Sequence, residues 1–190
     1  RIERRRRWEE AELAKMMAKG KPPKNDKWKA KYKEPSAPSG APLWEIPPSW
    51  QWTSVDAMGL LLLGRQRSGK YMTGKHFKPY LRVANIVGEE LSFEDLNMMD
   101  FDEHDSVKYE AQVGDVFLSE GQSRELVGES AIYRGGVDGL CYQKTLHRFR
   151  PIKSGPSSEF SHLLFHSHRL QGVFQRYAKV TTNMAHLTQV

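Results

Sequence analysis

Seven of the ten prolines fall between Lys21 and Pro48, and no other feature limits the fold as much. Each proline fixes φ and removes a backbone donor, so a segment this rich in them is neither a helix interior nor a central strand. The chain is thereby divided into an arm before the prolines and a domain after them. The segment itself interleaves Pro with Lys, Ser and Gly and shows no sustained strand or helix period, the pattern of an extended linker. Trp28, Tyr32, Trp44 and Ile46 lie inside it, and large rings in such a segment are expected to pin it to the folded domain.

Ahead of the linker, Ile2 to Lys19 contains no Gly or Pro, is rich in helix formers and stops at Gly20, a natural left-handed cap. Its apolar positions, Ile2, Trp8, Leu13, Met16 and Met17, are too sparse for a core helix. A projecting helix, or one packed along a narrow seam, is expected. The reading is therefore a helical arm over residues 1–20, a linker over 21–49 and one domain over 50–190.

Within the domain, the run Leu60 to Leu63 predicts a buried segment, and Pro79 to Val87 (PYLRVANIV) predicts a strand. Further strands are expected at Asp115 to Glu120, Ala131 to Arg134 and Leu140 to Arg150, separated by Gly-containing turns. The acidic stretch Phe93 to Glu110 suits short helices. A second long helix is expected over Ser157 to Lys179, where Phe160, Leu163, Leu164, Leu170, Phe174 and Tyr177 recur at helical spacing after a Pro-Ser start. The sum is a mixed α/β domain, a twisted sheet with packed helices. With 38% hydrophobic and 11% aromatic residues there is material for a core, and global disorder is excluded.

Cys141 is the only cysteine, which excludes an internal disulfide and a multi-cysteine zinc site and suits a reducing compartment, the cytoplasm. No apolar run approaches the roughly 20 residues of a membrane span, and the Arg-rich start lacks the apolar core of a signal peptide. Because residue 1 is Arg and not Met, a piece of a longer protein is expected.

The net charge of +6 conceals a segregated distribution. Residues 1–33 hold 13 Lys/Arg and 5 Asp/Glu, Arg65 to Arg82 holds six bases and no acid, and Glu89 to Glu120 holds eleven acids and one base. Segregated blocks can fold into a basic face and an acidic face, which suits a cleft that faces DNA, although charge runs are more commonly plain solvated surface.

Sites for chemistry are missing from the sequence. GRQRSGK at Gly64 has the wrong glycine register for a P-loop and a Tyr after the lysine. Pro47-Pro48 lacks the polar and aromatic flanks of a base-flipping motif. His162 and His166 stand four apart on one helical face, and His168 is close by, but no HExxH accompanies them. Surface histidines are the commoner explanation, and no metal site is assigned. Two loops are more informative. Arg65 to Lys78 (RQRSGKYMTGKHFK) and Gly121 to Glu125 (GQSRE) carry Arg, Gln, Lys, Thr and His, the side chains that reach phosphates and purine edges. Ordinary polar loops would look similar.

In order along the chain, RRRRWEEAELAKMMAKGKPPK, KWKAKYKEP, LWEIPPSWQWTSV, GRQRSGKYMTGKHFKPYLRVANI, GDVFLSEGQSRELVGESAIYRG, CYQKTLHRFRP and VTTNMAHL resemble the target-recognition domain of type I restriction-modification specificity subunits. The Arg-rich helix with its KPPK linker is similar to the family's central conserved helix leading into the second recognition domain. The resemblance implies a non-catalytic subunit that reads one half of a split double-stranded DNA sequence. It implies a methyltransferase subunit and a restriction subunit as partners, with S-adenosylmethionine, ATP and Mg bound by those partners and no cofactor on this chain. On the present sequence Arg65, Gln66, Arg67, Lys70, Tyr71, Thr73, Lys75 and His76, with Gln122, Ser123 and Arg124, are expected to face DNA. Lys144, Arg148, Thr181, Thr182 and Asn183 are expected to touch phosphates. Competing readings are a helical protein-interaction module without base readout, and a hydrolase using a histidine with Asp115 or Glu120.

Overall fold

A computed structural model describes residues 2–36, 45–180 and 184–187. The arm forms helix α1 (Ile2–Ala18). Its Arg and Glu side chains pair at helical spacing, Arg5 with Glu9 at 3.0 Å and Arg7 with Glu3 at 3.2 Å, which supports a largely polar helix that packs along the helix at Glu103–Tyr109. Gly20 at φ 64 ends it, its amide donating to the Met17 carbonyl at 2.9 Å. No residue of α1 is buried.

The linker rings do pin the linker, but to the arm. A 3₁₀ turn at Asp26–Lys31, capped by Asn25, brings Trp28 within 6.0 Å and Tyr32 within 5.3 Å of the Trp8 ring, centroid to centroid. Arg4 donates to the Tyr32 hydroxyl at 2.8 Å and also pairs with Asp56. Trp44 lies outside the described residues.

The domain runs in the order α2 (Val55–Met58), β1 (Gly59–Leu63), β2 (Phe77–Leu81), β3 (Ile86–Val87), β4 (Glu90–Leu91), β5 (Asn97–Asp100) and α3 (Glu103–Tyr109). It continues with β6 (Val116–Ser119), β7 (Gly121–Gln122), β8 (Ser130–Ile132), β9 (Cys141–Tyr142), β10 (Leu146–Pro151), α4 (Ser158–Leu170), α5 (Val173–Tyr177), β11 (Lys179–Val180) and β12 (Ala185–His186). The central sheet has the order β1-β10-β6-β8, every neighbouring pair antiparallel. Alternation sorts its side chains between two faces. Val116, Leu118 and Phe149 pack with Leu61 under Phe165 of α4. On the other face Phe117, Ala131 and Leu146 join Leu81, Leu140 and Tyr142, so the sheet β5-β2-β9 closes the second layer.

Five sequence expectations change. The acidic stretch Phe93 to Glu110, expected as short helices, contains strand β5 as well as α3, and the strand expected over Leu140 to Arg150 divides at a turn into β9 and β10, which belong to different sheets. Leu60 to Leu63 is only half-buried, because β1 is an edge strand of its sheet. The predicted strand Pro79 to Val87 breaks after Leu81, where the buried Asn85 accepts from the Arg82 amide at 3.0 Å and donates to the Ser92 and Asp95 carbonyls at 3.1 Å. These bonds hold a 3₁₀ turn at Val83–Asn85 in place of a ladder. The predicted helix Ser157 to Lys179 is two helices, since Gly172 at φ 70 interrupts it.

Arg148, expected at the surface, is internal. It is 6% exposed and donates to the Lys108 carbonyl at 3.1 Å, over the Tyr142 ring. Its alternation partner Arg150 makes a two-pronged contact with Asp115, at 2.6 and 2.7 Å. Arg148 therefore belongs to a buried ionic layer and not to a phosphate-binding surface. The same contact occupies Asp115, the acid considered for hydrolysis.

Candidate nucleic-acid interface

Antiparallel order decides where the loops emerge. Leu63 pairs with His147, Leu146 with Ser119, and Leu118 with Ser130. The end of β1, the start of β10, the end of β6 and the start of β8 thus share one end of the central sheet. The loop over 64–76, the turn over 143–145 and the loop over 120–129 all leave from that end. Backbone bonds tie them together: the Lys144 amide donates to the Arg65 carbonyl at 2.9 Å, the Arg65 amide to the Tyr142 carbonyl at 3.1 Å and the Glu120 amide to the Thr145 carbonyl at 2.8 Å. β12 adds to β7 beside them. The opposite end, at Pro151, receives Arg7 of α1, which donates to the Pro151 carbonyl at 2.9 Å.

Gln66, Arg67, Lys70, Thr73, Lys75 and His76 are exposed on the first loop, Lys144 on the turn and Arg124 on the third segment. Arg124 lies in a turn whose Leu126 and Val127 amides both donate to the Ser123 carbonyl. The residues the structure gathers are therefore mostly cations at one edge of the sheet. Gln122 contributes its backbone to β7, and its side chain, like Thr181, Thr182 and Asn183, lies outside the described residues.

Arg65 and Tyr71 take a different place from their neighbours. The Arg65 guanidinium stacks 3.6 Å from the Tyr71 ring centre, pairs with Asp105 at 2.5 Å and donates to the Asp100 carbonyl at 2.7 Å. At 11% side-chain exposure it braces the loop from beneath. The cations Lys70 and Arg65 against the Tyr71 ring favour its phenolate and move its pKa down.

Asp100 escaped notice in the sequence. It sits in an acidic block, which reads as solvated surface, yet it is 7% exposed. One carboxylate oxygen accepts from the Thr73 amide at 2.6 Å, the Thr73 hydroxyl at 2.7 Å and the Gly74 amide at 3.2 Å; the other accepts from the His76 amide at 2.8 Å. Burial opposes the charge, but these donors prevail and hold the carboxyl at about 2. No spacing rule announces this contact, because it arises from the pairing of Phe77 with Asp100 across two strands.

The histidines of α4 are engaged elsewhere. His162 Nδ1 lies 3.0 Å from Ser130 Oγ, His168 Nδ1 lies 2.7 Å from the Leu164 carbonyl, and His166 and Arg169 both meet Glu89. Among the described residues the His and acidic side chains close enough to share an ion are instead Asp102, His104 and Asp105, and Asp105 already serves Arg65.

Over 146 residues the chain is 25% identical to the type I restriction enzyme MjaX specificity subunit of Methanocaldococcus jannaschii, covering 76% of this chain and 34% of that protein. The chain is a relative of type I restriction specificity subunits. No protein-family model matches it. The HsdS subunit from Thermoanaerobacter tengcongensis has a similar fold, with a TM-score of 0.52 and 18% identity, over 78% of this chain and 35% of that one. The chain thus spans about a third of the length of the specificity subunits it matches. The mixed helix and sheet domain expected from the sequence is present, with its cation-bearing loops at one end of the central sheet and the arm helix packed along α3.

Proposed function

We propose that this chain reads one half of a bipartite double-stranded DNA target on behalf of a type I restriction-modification complex, and carries no catalysis of its own. The carrying observation is the convergence of three loops at one end of the central sheet, tied by the Lys144–Arg65 and Glu120–Thr145 backbone bonds. Arg67, Lys70, Lys75, Arg124 and Lys144 meet phosphates there, while Gln66 and His76 have the chemistry for base edges. Arg65 and Tyr71 support this surface from below. Rigid loops on a closed sheet end suit base reading, because a donor displaced by an ångström no longer distinguishes one base edge from another.

The first turns of α1 reach the sheet end away from the loops, where Arg7 meets the Pro151 carbonyl, and the helix then packs along α3; its outer side would dock the methyltransferase subunit while the loops engage DNA. Ile2, Leu13 and Met17 are exposed along it, consistent with helix-to-helix contact. S-adenosylmethionine, ATP and Mg would belong to the partner subunits. Nothing in the linker or the loops favours the partner-docking reading alone over base reading.

The test is selection of bound duplexes from a randomised pool by the purified chain, at low and then higher salt. An enriched motif of a few base pairs is expected. Salt-sensitive binding with no motif would reduce the surface to phosphate contacts. Absence of binding both alone and with the methyltransferase subunit present would overturn the proposal.

A further inference from the structure

An acid in a surface that binds DNA is an anomaly: phosphate repels it, and removing it is expected to tighten binding to any duplex. Asp100 is such an acid. It lies directly beneath Thr73, Gly74 and His76, whose side chains and backbone form the outer part of the first loop. Its two oxygens are filled by donors of that loop alone, three on one oxygen and one on the other. Its own carbonyl receives the Arg65 guanidinium. Around Gly74, which stands at φ 79 with open space about its α-carbon, Lys75 and His76 are exposed, and beyond Asp100 the segment is tied by the Phe101 amide donating to the His76 carbonyl at 2.8 Å.

The geometry points to Asp100 as the positioning residue for base discrimination, an anion buried under the loop that sets where Thr73 and His76 stand relative to DNA without touching DNA itself. This rests on the DNA-reading function proposed above. Several properties suit the role. A carboxylate accepts at both oxygens, so it can gather four donors from the three residues Thr73, Gly74 and His76, which an amide cannot. Its negative charge is enclosed by those donors and is hidden from phosphate. Arg65 and Tyr71 then wall it in from the side, with Asp105 balancing the guanidinium.

Two effects of removing this acid have opposite signs, and that makes the inference testable. If Asp100 were merely a negative charge near the interface, Asp100→Asn would tighten binding to every duplex and leave the preference for the selected motif unchanged. If it positions the loop, the substituted amide must face at least one donor with its NH2, the His76 N–H or those of Thr73 and Gly74, the loop loses its register, and preference collapses. The full chain is used, and dissociation constants are measured for the selected duplex and for a scrambled duplex across a salt series. Circular dichroism melting is followed in parallel.

The expected result for Asp100→Asn is a fall of about tenfold or more in the ratio of specific to scrambled affinity, with scrambled binding no weaker than wild type. Asp100→Glu keeps the charge and moves the carboxylate outward by one methylene. It is expected to narrow the ratio with the salt slope unchanged, and it carries the test if Asp100→Asn melts early. A wild-type ratio retained by a folded variant of either kind overturns the positioning role and leaves the DNA-reading function standing. A wild-type chain that shows no preference at all overturns that function, and the positioning role with it.

Discussion

At the residue scale the determining contacts are buried charges whose partners come from distant parts of the chain. Asp115 is 1% exposed and holds Arg150 through two bonds while accepting the Gln112 amide at 2.8 Å; Arg148 lies 4.0 Å away. Asp115→Asn leaves two guanidinium groups in the interior with no carboxylate, and a loss of about 3 to 5 kcal/mol is expected, read by urea unfolding. A loss under about 1 kcal/mol would show that water reaches the cluster. His147 supplies a pH dependence. Burial moves its pKa down, against the Leu187 carbonyl that its Nε2–H meets at 2.8 Å and against Glu120. The native chain therefore keeps this ring neutral after the unfolded chain has taken up its proton. Stability is full above about pH 6.5 and declines as pH falls below it. His162, lowered first by burial too, acts in the same direction. His147→Gln, which retains a donor for the Leu187 carbonyl, should flatten part of that decline in melting temperatures measured between about pH 5 and 7; an unchanged slope would exclude His147 as its source.

At the element scale, close approaches decide how the pieces lock. The loop following β7 returns to β8 through Gly128, at φ 81, and a Cβ there would overlap the Phe174 ring of α5. Gly128→Ala combines a left-handed backbone with an overlap in packed surroundings, so a cost of about 2 kcal/mol or more is expected in thermal or urea unfolding. The same variant should loosen the Arg124 turn, since the Gly128 amide donates to the Ser119 carbonyl at 3.0 Å. Most elements were legible beforehand. The arm helix, the strands around Val116, Ala131 and Leu146, and the existence of a helix after Pro156 follow from periodicity and from cap and turn residues. The break at Asn85 was not, because an asparagine inside PYLRVANIV looks like one more alternating position until its side chain finds the Ser92 and Asp95 carbonyls.

At the scale of the whole molecule, α1 begins at the Pro151 end of the central sheet and packs along α3, while the cation-bearing loops gather at the other end of that sheet. Substituting Arg67, Lys70 and Lys75 together by Ala should reduce the slope of log affinity against log salt by about three on B-DNA, because each lost phosphate contact retains its counterion. A slope that does not change would place the phosphates elsewhere. No helix among the described residues is long and apolar enough to cross a membrane, in keeping with the absence of such a run in the sequence. The arm helix and the strands around Val116, Ala131 and Leu146 could be read from the sequence alone, since cap residues and apolar period act on neighbouring residues and need no fold to operate. The cationic loop could be named on its composition, and six of its eight candidate residues prove to be exposed. Only the tertiary structure decided that Arg65 and Arg148 are internal while Lys75 and Lys144 are not, and that Asp100 underlies the loop. An arginine has the same chemistry in either place. Its role depends on which carboxylate or carbonyl the strand pairing brings within reach, and that pairing is a property of the folded chain.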